Sequence, residues 1–137
     1  MNLVELASSN HQVVAVMDGE VCPTVDFLTH GEATTESSRN GLINMLDAVS
    51  DMGLQGVPGA WLHEANKQLG IYEFIKGRLR LFFFKGVNGQ IAVCTIGVMK
   101  SGQKADRASV KKAAEFKELY FAAHAANTLR VIDYGTE

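Results

Sequence analysis

The side chains best suited to chemistry in this sequence are cations, and they are concentrated in one segment. Residues 76–117 hold ten basic and two acidic residues, whereas residues 1–75 hold two basic and ten acidic ones. The net charge of the whole chain, −2, hides this separation. Charge divided along a chain in this way is typical of a surface that faces a polyanion. The alternative, equally open from the sequence, is that the basic segment pairs with the acidic half of the same molecule.

Other kinds of reactive site have no matching spacing in the chain. The four histidines and two cysteines are scattered without the intervals of a metal site, so the sequence predicts no metal ion and no cofactor. The stretch from Gly97 to Lys104 follows an expected strand and precedes an expected helix, as a phosphate-binding P-loop does. It lacks a lysine directly after its second glycine, and we therefore discard it. No serine or cysteine stands beside a histidine in a recognised nucleophile arrangement.

Two of the cations belong to a strand-like stretch, GRLRLFFFKG, at residues 77–86. Side chains alternate between the two faces of a strand, which places Arg78 and Arg80 on the same face as Phe82 and Phe84. Burial in a central strand explains the phenylalanines. It does not explain why arginines share their run.

The position of Arg80 in the sheet decides what its guanidinium can contact. Asn88-Gly89 predicts a two-residue hairpin turn, and counting outward from that turn sets Arg80 opposite Gly97. The lysines that follow the next strand then gather with Arg80 at one end of the sheet. The alternative is that Arg80 lies along Phe82 and pairs with Glu73 on the neighbouring strand.

Near the start of the chain, β-branched residues and a turn signal predict an N-terminal β-hairpin. The stretch 12–17 is the first strand, Asp18-Gly19 is the turn, and Val21-Cys22 returns beside it. The segment from Thr24 to Leu28 is either a short helix opened by Pro23 or a further strand.

The rest of the chain has a clearer order of elements. Periodicity predicts helices over residues 35–52 and 60–69, strands over 71–75, 78–84 and 91–99, a helix from a cap at residue 106 or 109 to about 126, and a short strand over 130–134. Helices followed by a run of strands indicate the α+β class. We therefore expect a single domain of residues 1–137, with an antiparallel sheet, two helices before it, a C-terminal helix and the N-terminal hairpin.

The sequence has no signal for a membrane or for export. Its longest apolar run, Leu81 to Phe84, has four residues, far fewer than the ~20 that span a bilayer. The first residues lack the basic start of a signal peptide. Without such a signal, Cys22 and Cys94 are expected to be reduced thiols. The sequence therefore predicts a cytoplasmic protein without a membrane partner.

A longer pattern runs from Leu69 to Ala113. It consists of a strand with tyrosine and glutamate, an arginine with apolar and aromatic residues, an Asn-Gly turn, an apolar strand, a basic loop and a lysine–alanine helix. These features fall on Tyr72-Glu73, Arg80 to Phe83, Asn88-Gly89, Ile91 to Met99, Lys100 with Gln103-Lys104, and Lys112-Ala113. In this order and spacing the chain resembles the RelE/ParE superfamily of bacterial toxins, most closely its HigB-like branch. The resemblance covers about residues 42–121.

The resemblance implies a compact sheet with flanking helices and, in many members, a ribonuclease that needs no metal. Such members bind the ribosomal A site and cleave mRNA, using the RNA 2′-hydroxyl as the nucleophile while basic side chains stabilise the phosphate charge. By carry-over, Arg80 is the main phosphate-stabilising residue and Lys100 and Lys104 assist it. Tyr120 is the residue of the last helix placed to join them. The RNA-binding residues expected alongside are Arg78, Arg107, Lys111 and Lys112.

We therefore expect the toxin of a type II toxin–antitoxin pair, with the ribosome, mRNA and a helix-turn-helix antitoxin as partners. Ile75 stands where the family often has an arginine, and the usual lysine pair of the loop is reduced to Lys100-Ser101. These departures keep a second hypothesis in view, a non-catalytic binder on the same fold that inhibits gyrase or a host defence factor. A third is a globular accessory protein whose basic half contacts its own acidic half or a partner.

Overall fold

Alternating apolar residues build a mixed β-sheet, and helices cover both of its faces. The computed structural model describes residues 1–100 and 106–134. The strands within them are β1 (Asn2–Ser8), β2 (Gln12–Val16), β3 (Leu62–Asn66), β4 (Ile71–Lys76), β5 (Leu79–Phe84), β6 (Gln90–Met99) and β7 (Arg130–Ile132). The helices are α1 (Pro23–Thr29), α2 (Glu36–Met52) and α3 (Arg107–Ala125), with 3-10 turns at Ala33–Thr35 and Gly59–Trp61. The fold is α+β, as the sequence predicts.

The order of the strands across the sheet is β3-β4-β5-β6-β2-β1-β7. β4, β5 and β6 form the antiparallel meander that the sequence predicts, and β3 extends it. The expectation of an antiparallel sheet is wrong for two pairs, because β2 runs parallel to β6 and β7 runs parallel to β1. The chain leaves β2, crosses one face of the sheet through α1 and α2, and returns through the meander. This long connection allows β6 to enter beside β2 in the same direction.

An N-terminal hairpin is present, but its strands differ from the predicted ones. β1 pairs antiparallel with β2, whereas Asp18 and Val21 form only an isolated bridge. Pro23 begins α1 two residues after that bridge, so no second strand can follow there. Leu3 and Val4 of β1 are buried. β1 therefore occupies the place beside β2 that the sequence prediction assigned to Val21-Cys22.

α2 agrees with its prediction, whereas the helix predicted over Ala60 to Leu69 is wrong. The 3-10 turn ends at Trp61, and β3 follows it and pairs antiparallel with β4. The chain turns back at Gly70, whose φ of +66° favours glycine. The backbone hydrogen bonds that this segment makes with the edge of β4 outweigh the preference for a helix that the spacing of its apolar residues indicates. The open choice at residues 24–28 resolves as α1, with Pro23 as its first residue.

The two faces of the sheet carry separate apolar cores. Leu81 and Phe83 belong to the core under α1 and α2, and Phe82 and Phe84 belong to the core under α3. All four side chains are buried, because β5 is covered on both faces. The run of phenylalanines is thus packing. Arg80, two residues before Phe82, lies on the α3 face.

Candidate functional site

The pairing of β5 with β6 determines what surrounds Arg80. A bulge between Leu81 and Phe83 places an extra residue in β6, so Arg80 pairs with Val98 and Leu81 pairs with Gly97. The predicted pairing of Arg80 with Gly97 is therefore wrong by one residue. Gly97 instead makes room on the other face for Phe27 of α1, because a Cβ there would lie 2.2 Å from the Phe27 ring.

Arg78, Arg80 and Lys100 meet at one end of the α3 face. The backbone N–H of Lys100 donates to the Arg78 carbonyl oxygen at 2.7 Å, and Arg78 Nε donates to the Lys100 carbonyl oxygen at 3.3 Å. This contact extends the ladder in which Arg80 pairs with Val98. Residues two apart on a strand share a face, so the structure brings these three predicted residues together. Lys104 lies outside the described residues.

The guanidinium of Arg80 is mostly buried and only partly bonded. Its side chain is 14% exposed, and Nη1 donates to the carbonyl oxygens of Gly77 at 2.8 Å and Leu79 at 2.9 Å. Nε has no hydrogen-bond acceptor among the described residues. It lies 3.9 Å from Glu73 Oε1, so the ion pair that the sequence left as an alternative is present. Nη1 is thus held by backbone carbonyls, and Glu73 lies beside Nε.

A histidine that the sequence did not single out completes this group. His63 on β3 pairs directly with Glu73 on β4, and its Nδ1 lies 3.4 Å from the same Oε1 atom that faces Arg80. The His63 side chain is 64% exposed, whereas that of Glu73 is 14% exposed. The prediction missed His63 because it placed residues 60–69 in a helix. A strand assignment there would have revealed the contact, since paired residues share a face.

The start of α3 follows Lys100 in the chain and carries further exposed cations. Asp106 caps the helix by accepting the backbone N–H of Ser109 at 3.1 Å. That hydrogen bond holds the pKa of the Asp106 carboxyl below its usual value. Arg107 and Lys111 follow in the first turns and are exposed. We call Arg78, Arg80, Lys100, Arg107 and Lys111 together the basic end.

Lys112 faces away from the basic end. Its Nζ lies 5.0 Å from the centre of the Phe116 ring, and Phe116 lines a depression at the corner formed by β1 and β2. On the opposite flank of α3, Lys117 Nζ donates to the Leu69 carbonyl oxygen beside β4 at 2.9 Å. α3 therefore directs Lys112 toward β1 and β2, and the structure separates it from Arg80.

Tyr120 is fully buried and does not join Arg80. Its hydroxyl accepts the backbone N–H of Val87 at 3.1 Å and donates to Gln90 Oε1. Its ring meets Phe84 edge-on at 5.2 Å. Burial raises the pKa of the hydroxyl, which the bond from Val87 partly offsets. Phe84 ends β5 four residues after Arg80, which corresponds to a separation of about 13 Å along the strand.

Carboxylates contribute little to the charge balance of the basic end. Within residues 1–100 and 106–134, Arg80 with Glu73 is the one lysine or arginine side chain that has a carboxylate oxygen within 4.0 Å. The acidic residues of α2, such as Glu36 and Asp47, are exposed beyond the opposite face of the sheet. Pairing within the molecule therefore accounts for Arg80 and for no other described cation.

Three further findings concern the molecule as a whole. In the part of the chain that the structure describes, no three histidine, cysteine or acidic side chains gather as a metal-binding group. No described helix combines the length and the apolar character that crossing a bilayer requires. No protein-family model and no curated protein matches the chain.

Proposed function

We propose that this protein is the toxin of a type II toxin–antitoxin pair, a HigB-like member of the RelE/ParE superfamily that cleaves mRNA on the ribosome. The basic end is the observation that carries the proposal. Arg78, Arg80 and Lys100 come from two strands and meet on one face, and exposed Arg107 and Lys111 follow at the start of α3. Two helices, α1 and α2, precede the meander and a lysine-bearing helix follows it, although the helix that the resemblance counted over residues 60–69 is strand β3.

The basic end has the chemistry that phosphoryl transfer needs. When the RNA 2′-oxygen attacks the phosphate, negative charge builds up on the phosphate oxygens. Cations already fixed around it lower that barrier without reorganising. Arg80 is fixed by two backbone carbonyls through Nη1, and its Nη2 would donate to a phosphate oxygen. Arg80 is therefore the principal phosphate ligand of the proposed site, and Lys100 and Lys104 assist it.

The remaining cations suit RNA binding rather than chemistry. Arg78, Arg107 and Lys111 are exposed and would hold the flanking phosphates. Lys112 lies on the far flank of α3 and would contact RNA only if the RNA also ran along that flank. Tyr120 has no catalytic part in this proposal, because its hydroxyl is bonded within the core. The protein would act in the cytoplasm and be neutralised by a helix-turn-helix antitoxin.

A second candidate is a non-catalytic protein of the same fold that inhibits a protein target such as gyrase or a host defence factor. The ion pair between Arg80 and Glu73 favours it, because a guanidinium engaged by a carboxylate has less charge to offer a phosphate. Exposed arginines and lysines around it would then bind an acidic surface of the target.

Expression in a bacterium with mRNA end mapping distinguishes these candidates. The wild type is expected to arrest growth and create new mRNA ends, and Arg80→Ala is expected to abolish both. Arg130→Ala is the matched control, because Arg130 is also a strand arginine that donates to two backbone carbonyls, at the far edge of the sheet. Arrest without new mRNA ends supports the second candidate. Normal growth with the wild type overturns the toxin proposal.

A further inference from the structure

A small cavity lies where the turn between β5 and β6 meets the end of α3, and its volume is about 200 Å³. Six residues line it, and three of them carry side-chain amides: Val87, Asn88, Gln90, His124, Asn127 and Leu129. We call these six residues the amide cavity. No lysine, arginine or acidic residue is among them, so the amide cavity suits a neutral ligand that makes hydrogen bonds.

The amide of Gln90 is held in one orientation by Tyr120. The Tyr120 hydroxyl accepts the backbone N–H of Val87 at 3.1 Å and donates its own proton to Gln90 Oε1. A hydroxyl has a single proton to give, so this contact engages the oxygen of the amide and leaves its nitrogen as a donor. Gln90 Nε2 has no acceptor among the described residues. A donor that is oriented in advance loses little conformational entropy when a ligand binds.

The other polar side chains of the amide cavity are also without internal partners. In the described part of the chain, no hydrogen bond engages the side chain of Asn88, His124 or Asn127. Both asparagines have positive φ, +54° at Asn88 and +59° at Asn127. Their turns are closed by backbone bonds, from the Gln90 N–H to the Val87 oxygen and from the Asn127 N–H to the His124 oxygen, each at 3.0 Å. Neither amide is therefore needed to hold its own turn.

The edges of nucleobases match this set of groups. An amide side chain presents a donor beside an acceptor, which is the arrangement that binds adenine N6 and N7 together. An imidazole can stack on an unpaired base. A volume of 200 Å³ corresponds to six or seven waters at about 30 Å³ each. A flat base fits such a volume, whereas its sugar and phosphate would stay outside.

We propose that the amide cavity binds a nucleobase, with Gln90 Nε2 donating to an acceptor on the base edge and with Asn88 and Asn127 discriminating among bases. The base belongs either to a free nucleoside or to a single-stranded RNA, since both present the same edges. The amide cavity follows Phe84, more than about 13 Å along β5 from Arg80. This inference therefore goes beyond the proposed function, and it does not require mRNA cleavage.

The first test titrates the isotope-labelled protein with adenosine, guanosine, cytidine and uridine and follows its backbone amide signals by NMR. Nucleosides carry no phosphate, so the basic end adds nothing to their binding. A short single-stranded RNA of mixed sequence is titrated in parallel. At least one of these probes is expected to shift the signals of residues 87–90 and 124–129. If no nucleoside and no RNA shifts them, the proposal is overturned.

Variants of the amide cavity test which groups bind the base. Asn127→Gly removes an amide and keeps the backbone, because glycine readily adopts a φ of +59°. Gln90→Glu keeps an acceptor for Tyr120 and replaces the Nε2 donor by an oxygen. Each is expected to weaken binding roughly ten-fold, the scale of one amide–base contact. Asn44→Ala is the control, because Asn44 is an exposed amide on α2 that lines a different cavity. Equal affinities for all three variants would overturn the proposal.

The two sources of the base are distinguished by comparing the probes. If the ligand is a free nucleoside, Gln90→Glu weakens nucleoside binding and leaves RNA binding unchanged. If the ligand is a base within RNA, the RNA binds the wild type more tightly than any nucleoside does, and Gln90→Glu weakens RNA binding roughly ten-fold. RNA that binds the wild type and Gln90→Glu equally, with no nucleoside bound, is held elsewhere on the protein. That last result would refute the assignment.

Discussion

At Arg80, one buried guanidinium nitrogen has no hydrogen-bond acceptor among the described residues. A buried donor without a partner costs about 1–3 kcal/mol. Arg39 on α2 is the contrasting case, because its Nε donates to Thr35 Oγ1 at 3.1 Å and its Nη2 to the Glu32 carbonyl oxygen at 3.0 Å. Both arginines make two hydrogen bonds, but only Arg80 leaves a buried nitrogen, Nε, without an acceptor among the described residues.

Replacing these two arginines by methionine should therefore affect stability differently. Each replacement removes two charge-assisted hydrogen bonds, but Arg80→Met also removes the unpartnered nitrogen, so it should lower the free energy of unfolding by about 1 kcal/mol less than Arg39→Met does. Arg39→Met loses two charge-assisted bonds and should cost about 2 kcal/mol. Urea unfolding measures both. A larger loss for Arg80→Met than for Arg39→Met would show that Arg80 is a structural residue.

At the scale of elements, the sequence predicted the features that depend on local patterns and missed those that depend on neighbouring strands. Asn88-Gly89 and the alternation of β5 predicted the meander and the shared face of Arg78 and Arg80. The bulge opposite Phe82 and the strand over residues 62–66 depend on neighbouring strands, and no local pattern revealed them. His63 was missed for that reason. Residues of the candidate site could thus be predicted where alternation along one strand places them. They could not be predicted where the pairing of neighbouring strands places them.

The N-terminal cap of α3 gives a prediction at this scale. Asp106→Ala should lower the free energy of unfolding by about 1 kcal/mol at pH 7, because the backbone N–H of Ser109 loses its acceptor. The pKa of Asp106 lies below its ordinary 3.8 in the folded protein. Its contribution is therefore complete above about pH 4 and lost as pH falls through the lowered pKa.

Asp106→Asn is the control for this cap, since asparagine caps a helix about as well but does not ionise in this range. Urea unfolding at pH 7 and pH 3 should show that the gap between the wild type and Asp106→Ala narrows at the lower pH. The gap between Asp106→Asn and Asp106→Ala should stay constant. A wild-type gap that is equal at both pH values would contradict the role of the carboxylate.

Two groups of charged residues lie on opposite faces of the sheet, although Lys76 packs beside Gly41 of α2 and Glu73 lies beside Arg80 on the α3 face. The exposed acidic residues of α2 lie beyond one face, and the basic end lies on the other. Segment counts from the sequence revealed the two charge groups but left open whether the basic segment faces a polyanion or pairs with the acidic half. They could not predict which cations share a site, because Arg107 and Lys112, five residues apart, project about 140° apart around one helix. That distinction needs the docking of α3 on the sheet.

Under the proposed function, binding of the basic end to ribosomes should depend on salt concentration. Lys100→Ala should weaken binding at every salt concentration and reduce the slope of log affinity against log salt by roughly one unit. Lys67→Ala is the control, because Lys67 is exposed in the turn at the opposite end of β4, and it should leave the slope unchanged. Sedimentation of programmed ribosomes measures both. Equal slopes for the two variants would place the contact surface elsewhere.

The parallel pairing of β2 with β6 also sets the order in which the protein can be completed during its synthesis. Gln12 of β2 pairs with Gln90 of β6, so the inner edge of the N-terminal hairpin has no partner until almost eighty further residues have been made. At about 5–20 residues per second, that interval lasts roughly 4–16 s. The residues of the basic end all follow Gly77 in the chain, so the nascent protein acquires them only after β1 to β4, α1 and α2 have been made.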